Sequence, residues 1–289
     1  MLVSPGISLC TYSVNTYLCI QNMQTTRYFI YISFKGSDYH GWQMQPNAVT
    51  VQGVVENALS TILGKKTAIT GAGRTDSGVH ARIFCAHFNS ESPHLSENMS
   101  LIYRLNSYLP KDISVLRLSR VYPDAHARFS ALSRTYKYYI TRTKDPFSED
   151  FSWFLQNDAD LDLMNRACVV LMKYTDFTSF SRLHTDVKTN ECIISQAFWE
   201  QHSGKLIFTI KANRFLRNMV RAIVGTMIQV GKGKTDIMEF ERIILAKERS
   251  KAGMSAPAQG LFLEEIEYPS EIFIDNDLPE DATEEIIIE

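Results

Sequence analysis

The sequence predicts an α+β protein made of two ferredoxin-like (β-α-β-β-α-β) halves whose sheets face a shared central cleft. Three observations predict it. Apolar periodicity switches between strand and helix spacing in the order β-α-β-β-α-β over residues 27–123, and the same order returns over 124–269 with one extra helix. With 289 residues, 45% of them hydrophobic, the chain can bury a core in each half. Two such halves place two sheets, each with helices behind it, on a shared cleft.

The elements follow in order. RYFIYISF (27–34) is rich in Tyr, Ile and Phe and reads as a strand. TVQGVVENALSTILG (50–64) places Val51, Val54, Val55, Ala58, Leu59 and Ile62 at helical spacing between a Thr cap and a Gly stop. KKTAITG (65–71) is a short strand, and RIFCAHFN (82–89) alternates as one. SENMSLIYRLNSYLP (96–110) is a helix with a Ser cap that ends before Pro110, and DISVLRLSRVY (112–122) alternates again. In the second half, SRTYKYYITR (133–142) is a strand and DLDLMNRACVVLMKY (160–174) a helix. ECIISQAFWEQ (191–201) and KLIFTIKA (205–212) form a hairpin around His202-Ser203-Gly204. FLRNMVRAIVGTMIQVG (215–231) and 235–247 are helices, and GLFLEEIEY (260–268) is the last strand. Residues 1–26 read as a loose extension, with Met23 a candidate start, and 270–289 as an acidic disordered tail.

The formal net charge of −2 conceals a division. From Glu264 onward there are 11 acidic residues and no Lys or Arg, which leaves 30 basic against 21 acidic residues before it, a net +9. A basic body suits a phosphate-rich partner, although a solvated surface with an acidic tail would look the same. The five cysteines, Cys10, Cys19, Cys85, Cys168 and Cys192, form no C-x-x-C, and the seven histidines form no ligand cluster, so no metal is expected. Odd, scattered cysteines suit a reducing cytoplasm. The first 26 residues lack the basic start of a signal peptide, and no apolar run reaches the ~18–20 residues of a membrane span.

Chemistry concentrates in GAGRTDSGVH (71–80), in the loop between the second and third strands of the first half. Gly71, Gly73 and Gly78 allow positive φ or close approach of a ligand, and Asp76 could serve as a nucleophile if a cation holds it ionised. The same stretch could be a plain turn. A cation is on offer from the helix at 215–231, where Arg217 and Arg221 at i and i+4 edge an apolar arc and Gly225 leaves room for a close approach. DAHARFSALSRTYKYYI (124–140) interleaves Arg128, Arg134 and Lys137 with Phe129, Tyr136, Tyr138 and Tyr139, a pattern that can hold phosphates and stack on bases. GKT (233–235) resembles the end of a P-loop, but the first Gly would fall at Ile228 and a helix precedes it, so it is rejected. No dinucleotide fingerprint and no RNP1 motif occurs.

Taken together, GWQMQP (41–46), TVQGVVENAL (50–59), AGRTDSGVHA (72–81), AHARFSALSRTYKYYI (125–140), DFTSFS (176–181), KANRFLRNMVRAIVGTMIQVGKG (211–233) and APAQGLFLEEIEYP (256–269) resemble the tRNA pseudouridine synthase A (TruA) family from Arg27 to Pro269. One departure is Phe34-Lys35-Gly36 where the family often has Y-D-G. The resemblance implies the pseudouridine synthase fold and isomerisation of uridine to pseudouridine in the anticodon stem-loop of tRNA. It implies no cofactor, no metal, no membrane, and a homodimer whose two subunits both contact the tRNA. It further implies that Asp76 is the catalytic aspartate, Tyr136 the residue against the target uracil, and Arg221 the partner of the aspartate. Arg74 would help hold the flipped nucleotide, with His126, Arg128, Arg134 and Arg217 as further substrate-binding residues. A catalytically silent RNA-binding protein on the same fold would explain charge and aromatics but not the Arg–Asp–Gly loop. A small-molecule enzyme using Asp76 would explain the loop but not the charge.

Overall fold

A computed structural model describes residues 25–156, 158–182 and 189–274. The expectations for residues 1–24, including the start at Met23, and for 275–289 fall outside them.

The N-terminal half runs β1 (Thr26–Phe34), α1 (Val51–Leu63), β2 (Thr70–Gly71), β3 (His80–Ser90), α2 (Met99–Tyr108) and β4 (Ile113–Val121). The C-terminal half runs β5 (Ser133–Thr141), β6 (Trp153–Phe154), α3 (Leu161–Leu171), β7 (Ile194–His202), β8 (Lys205–Ala212), α4 (Met219–Gly231), α5 (Ile237–Ala246) and β9 (Leu261–Glu267). The first half is ordered β4-β1-β3-β2 and the second β9-β5-β8-β7. In each half the first major strand is central, its neighbours are antiparallel, and the fourth and second lie outermost. The mixed α+β class and the two equivalent strand orders agree with the sequence reading.

The halves are joined edge to edge in one nine-stranded sheet. β2 pairs with β3 only at His87 and Ala86, which leaves the start of that edge open. β9 fills it with a short parallel pairing of Phe262 to His80 and Leu263 to Ala81, while its other edge pairs with β5. An unpaired edge is a ready template for another strand. Each half keeps its own core. One gathers Phe29, Trp42, Val55, Leu59, Phe84 and Leu105, the other Tyr138, Met164, Phe208, Ile223 and Met227. Tyr136 packs against both and so marks the seam.

Several boundaries differ from the sequence reading for identifiable reasons. β2 has two residues because α1 takes the preceding backbone donors: Ser60 Oγ accepts from Thr67 N and Glu56 Oε1 from Ile69 N. α2 is capped by Asn98, whose side chain accepts from Leu101 N, rather than by Ser96. α4 begins at Met219 instead of 215, because Asn218 adopts a left-handed conformation, φ 65°, and breaks the helix there. Residues 270–274 stay on the sheet's rim: Tyr122 N donates to Ile272 O, Ile274 N to Arg120 O, and Phe273 packs edge-on against Phe29.

Candidate active-site cleft

The loop from Gly71 to His80 is held by backbone contacts on several sides. Ala72 N donates to Cys85 O at 2.8 Å, and Val79 N to Asp76 O at 3.2 Å, closing a turn through Ser77 and Gly78. Behind it lies Gly41, φ 85°, where a Cβ would sit 2.3 Å from Thr75 O. His80 Nδ1 accepts from Gly36 N at 3.0 Å, so Nε2 carries the proton and donates towards Asp150 O and Gln259 O at 3.0 and 3.1 Å. Burial lowers the His80 pKa and keeps the ring neutral in this clamp. Of the three motif glycines, only Gly78 takes a positive φ.

This loop presents Asp76 to the C-terminal half. Arg221 Nη1 lies 3.5 Å from Asp76 Oδ2, and Arg217 Nε 3.8 Å from Oδ1. Arg221 is itself fixed by its own loop partner: Nε donates to Ala256 O at 2.7 Å, and Arg221 O accepts from Ala256 N at 2.9 Å. The partner loop can approach because a Cβ on Gly225 would fall 1.8 Å from Met254 O. Thr226 Oγ1 accepts from Gly253 N at 2.9 Å and pins the same stretch. The close approach expected at Gly225 is therefore made by the chain's own backbone. Arg217 does not stack on α4 with Arg221 as expected. It stands on the turn before Asn218 and reaches the carboxylate from another direction.

The cleft around these groups measures about 980 Å³. That is at the upper end of the roughly 300–1,000 Å³ usual for small-molecule sites. His40, Gln43, Gln45 and residues 74–77 line it from the N-terminal half, and Arg182, Arg217, Asn218, Arg221, Arg249 and Ser255 from the C-terminal half. Five arginines thus surround one carboxylate. Arg74 is exposed and makes no ion pair or hydrogen bond with another described residue, so its guanidinium is available.

Tyr136, at the seam, meets Phe215 edge-on, with ring centroids 5.0 Å apart and planes at 84°. Burial, helped by the charge of Asp76, pushes its phenol up to about 12 against the opposing pull of Arg134, so it stays protonated at neutral pH. Arg134 donates to four carbonyls, those of Ala72, Arg128, Ala131 and Asn213. It ties the root of the Asp76 loop to the turn at 128–131. Arg128 lies on that turn and His126 just before it, and neither they nor Arg134 and Tyr136 belong to the cleft lining. His126 Nδ1 accepts from Arg128 N at 3.0 Å, its ring lies edge-on to His87 at 4.6 Å, and the Arg128 guanidinium sits 5.5 Å from the ring centre of the exposed Phe129.

Arg182, Arg249, Asn218 and Ser255 were not singled out from sequence. DFTSFS stops one residue before Arg182, and APAQGL begins one residue after Ser255. A single polar residue in a loop carries no periodicity to betray it. Among the described residues, no group of three or more His, Cys, Asp or Glu side chains could hold a metal ion, and no helix is long and apolar enough to cross a membrane.

Comparisons with known proteins bear on most of the chain. The sequence model of a family described as tRNA pseudouridine synthase matches residues 169–269. The tRNA pseudouridine synthase A of Parabacteroides distasonis is 52% identical over 247 residues, covering 86% of this chain and 98% of that protein. That of Bacteroides fragilis is 52% identical over 252 residues, 87% of this chain and all of that protein. A more distant one, from Listeria monocytogenes, is 38% identical over 248 residues, 84% and 99% of the two chains.

Proposed function

The chain belongs to the tRNA pseudouridine synthase A family, and from this premise we propose that it isomerises uridine to pseudouridine in the anticodon stem-loop of tRNA, with Asp76 as the attacking carboxylate. Membership makes it a tRNA-modifying isomerase. The observation that carries the residue assignment is the carboxylate of Asp76 flanked by Arg217 and Arg221 inside a cleft built from both halves, 27–123 and 124–269.

The reaction breaks the C1′–N1 bond, turns the uracil and joins C1′ to C5. The C5 proton leaves, N1 gains one, and nothing else enters or departs, so no cofactor is called for. The reacting atoms are inaccessible in a stacked helix. The nucleotide is therefore extruded, at a cost of a few kcal/mol. Arg74, Arg182 and Arg217, exposed or half-exposed at the cleft, offset that cost through phosphate contacts. The atom attacked by Asp76 is C1′ of the nucleotide or C6 of its uracil. Arg221, anchored through Ala256 O, orients the carboxylate. Tyr136 lies against the uracil ring. With its phenol protonated at neutral pH, it serves as a packing and orienting surface rather than as the base for the C5 proton.

Release of tritium from tRNA carrying 5-tritiated uridine tests the reading. The wild type should release it and Asp76→Ala should not. A wild type that binds tRNA without release would make it a silent RNA-binding protein instead. The enzyme is further read as a cytoplasmic homodimer with tRNA contacted by both subunits. The family resemblance supports this, and sedimentation with and without tRNA checks it.

A further inference from the structure

Ser255 lies on the segment between α5 and β9 and lines the cleft together with Arg249 and Asn218. Its Oγ accepts two hydrogen bonds, from Arg249 Nη2 at 3.0 Å and from Asn218 Nδ2 at 2.6 Å. A serine hydroxyl has two lone pairs and one proton. With both lone pairs engaged, the proton is confined to the remaining tetrahedral direction, and no described residue accepts it.

Both donors are themselves fixed. Asn218 is set by its left-handed backbone at the head of α4. Arg249 Nη1 donates to Gly253 O at 3.0 Å and to Ala252 O at 3.4 Å, and among the described residues no carboxylate pairs with its charge. A half-buried guanidinium without an anion is here a rigid fork that holds a loop and a hydroxyl. The arginines of the cleft supply charge, which attracts a polyanion from any direction. A preset neutral donor reads direction.

We propose that the Ser255 Oγ–H is a substrate-binding donor, aimed by Arg249 and Asn218 at an acceptor oxygen of the nucleotide held beside Asp76. This rests on the function proposed above. The accepting oxygen belongs to a uracil carbonyl or to an adjoining phosphate, which share the chemistry of a hydrogen-bond acceptor.

The test uses full-length enzyme and tritium release from tRNA. Ser255→Ala should lower kcat/KM by about five- to tenfold, the worth of one hydrogen bond, at temperatures where the variant is still fully folded. Ser255→Thr, which keeps the donor, should lie closer to wild type. Asn218→Asp supplies a carboxylate that accepts the Ser255 proton and turns it away from the cleft. Its penalty should therefore be clearly smaller in the Ser255→Ala background than in wild type. Substrates with 2-thiouridine, 4-thiouridine or a flanking phosphorothioate identify the partner as the position where the sulfur penalty shrinks in Ser255→Ala. Ser255→Ala with wild-type kinetics, Asn218→Asp with equal penalties in both backgrounds, or equal sulfur penalties at all three positions would overturn the inference. A wild-type enzyme that releases no tritium would instead overturn the function beneath it.

Discussion

Asp76 and Arg221, 145 positions apart, face each other at 3.5 Å across the seam between the two halves, and the arginine keeps a second, shorter bond to Ala256 O at 2.7 Å. The pair is therefore oriented by the fold and not only by mutual attraction. Asp76→Asn keeps the shape of the side chain and removes the nucleophilic charge. It should abolish tritium release while tRNA affinity, measured by filter binding, stays within about twofold of wild type, since Asp76 contributes negative charge to a site that binds a polyanion. Affinity lost in parallel with turnover would assign Asp76 to the fold of the loop instead.

Arg221→Lys separates charge from geometry. An ammonium can face Asp76 or Ala256 O, but it lacks the planar fork that reaches both. Misplacing a reacting group by about an ångström can cost on the order of 100-fold. Single-turnover rates should accordingly fall by about 10- to 100-fold with little change in tRNA affinity, and an unchanged rate would remove Arg221 from the orienting role.

How much of this was legible beforehand depends on the range of the determinant. α1 could be read from end to end, because Thr50 accepts from Gly53 N and Gly64 turns left-handed at φ 67°, both signals local to the helix. The β7–β8 turn was readable for the same reason, Ser203 and Gly204 both taking positive φ. The start of α4 was not, since apolar spacing continues through Phe215 and Leu216 and only Asn218 breaks it. The joining of the sheets at β3 and β9 depends on a pairing 182 residues apart, from His80 to Phe262, that no local pattern encodes. In the site, Asp76 and Arg221 were legible through motif resemblance, not spacing. Arg134 and Arg217 look alike as sequence, yet one is consumed by four carbonyls and the other faces Asp76.

Gly225→Ala probes the support of the pair. The added Cβ would fall 1.8 Å from Met254 O, so the 253–256 segment must retreat from α4. Overpacking of this kind costs roughly 1–3 kcal/mol, which a lowered thermal unfolding midpoint should report. Retreat also stretches the Ala256 O bond to Arg221, so the rate should fall at temperatures where the variant is still fully folded. A destabilised variant with a normal rate would uncouple that loop from Arg221.

The arginine-lined cleft predicts a steep salt dependence of tRNA binding. Each phosphate contact adds about −0.7 to −0.9 to the slope of log K against log salt. Arg74→Ala removes an exposed, unpaired guanidinium, so it should flatten the slope by about one contact and leave the unfolding midpoint in place. A slope unchanged by Arg74→Ala would place its guanidinium away from the phosphates.

His87 sets a pH limit on stability. Its Nδ1 accepts from Ala127 N at 3.1 Å, an arrangement that requires that nitrogen to be unprotonated. Burial first, then the neighbouring His126 and Arg27, lower its pKa from 6.5 to about 4. A group favoured neutral in the fold binds its proton more readily when the chain is unfolded, so stability from this source is complete above pH 6.5. It declines as the pH falls towards about 4, where the folded protein is protonated as well. The unfolding midpoint of wild type should drop across that window. His87→Asn, which cannot titrate, should be less stable at pH 7.5 but lose less on acidification. Parallel curves for the two proteins would place the acid sensitivity elsewhere in the molecule.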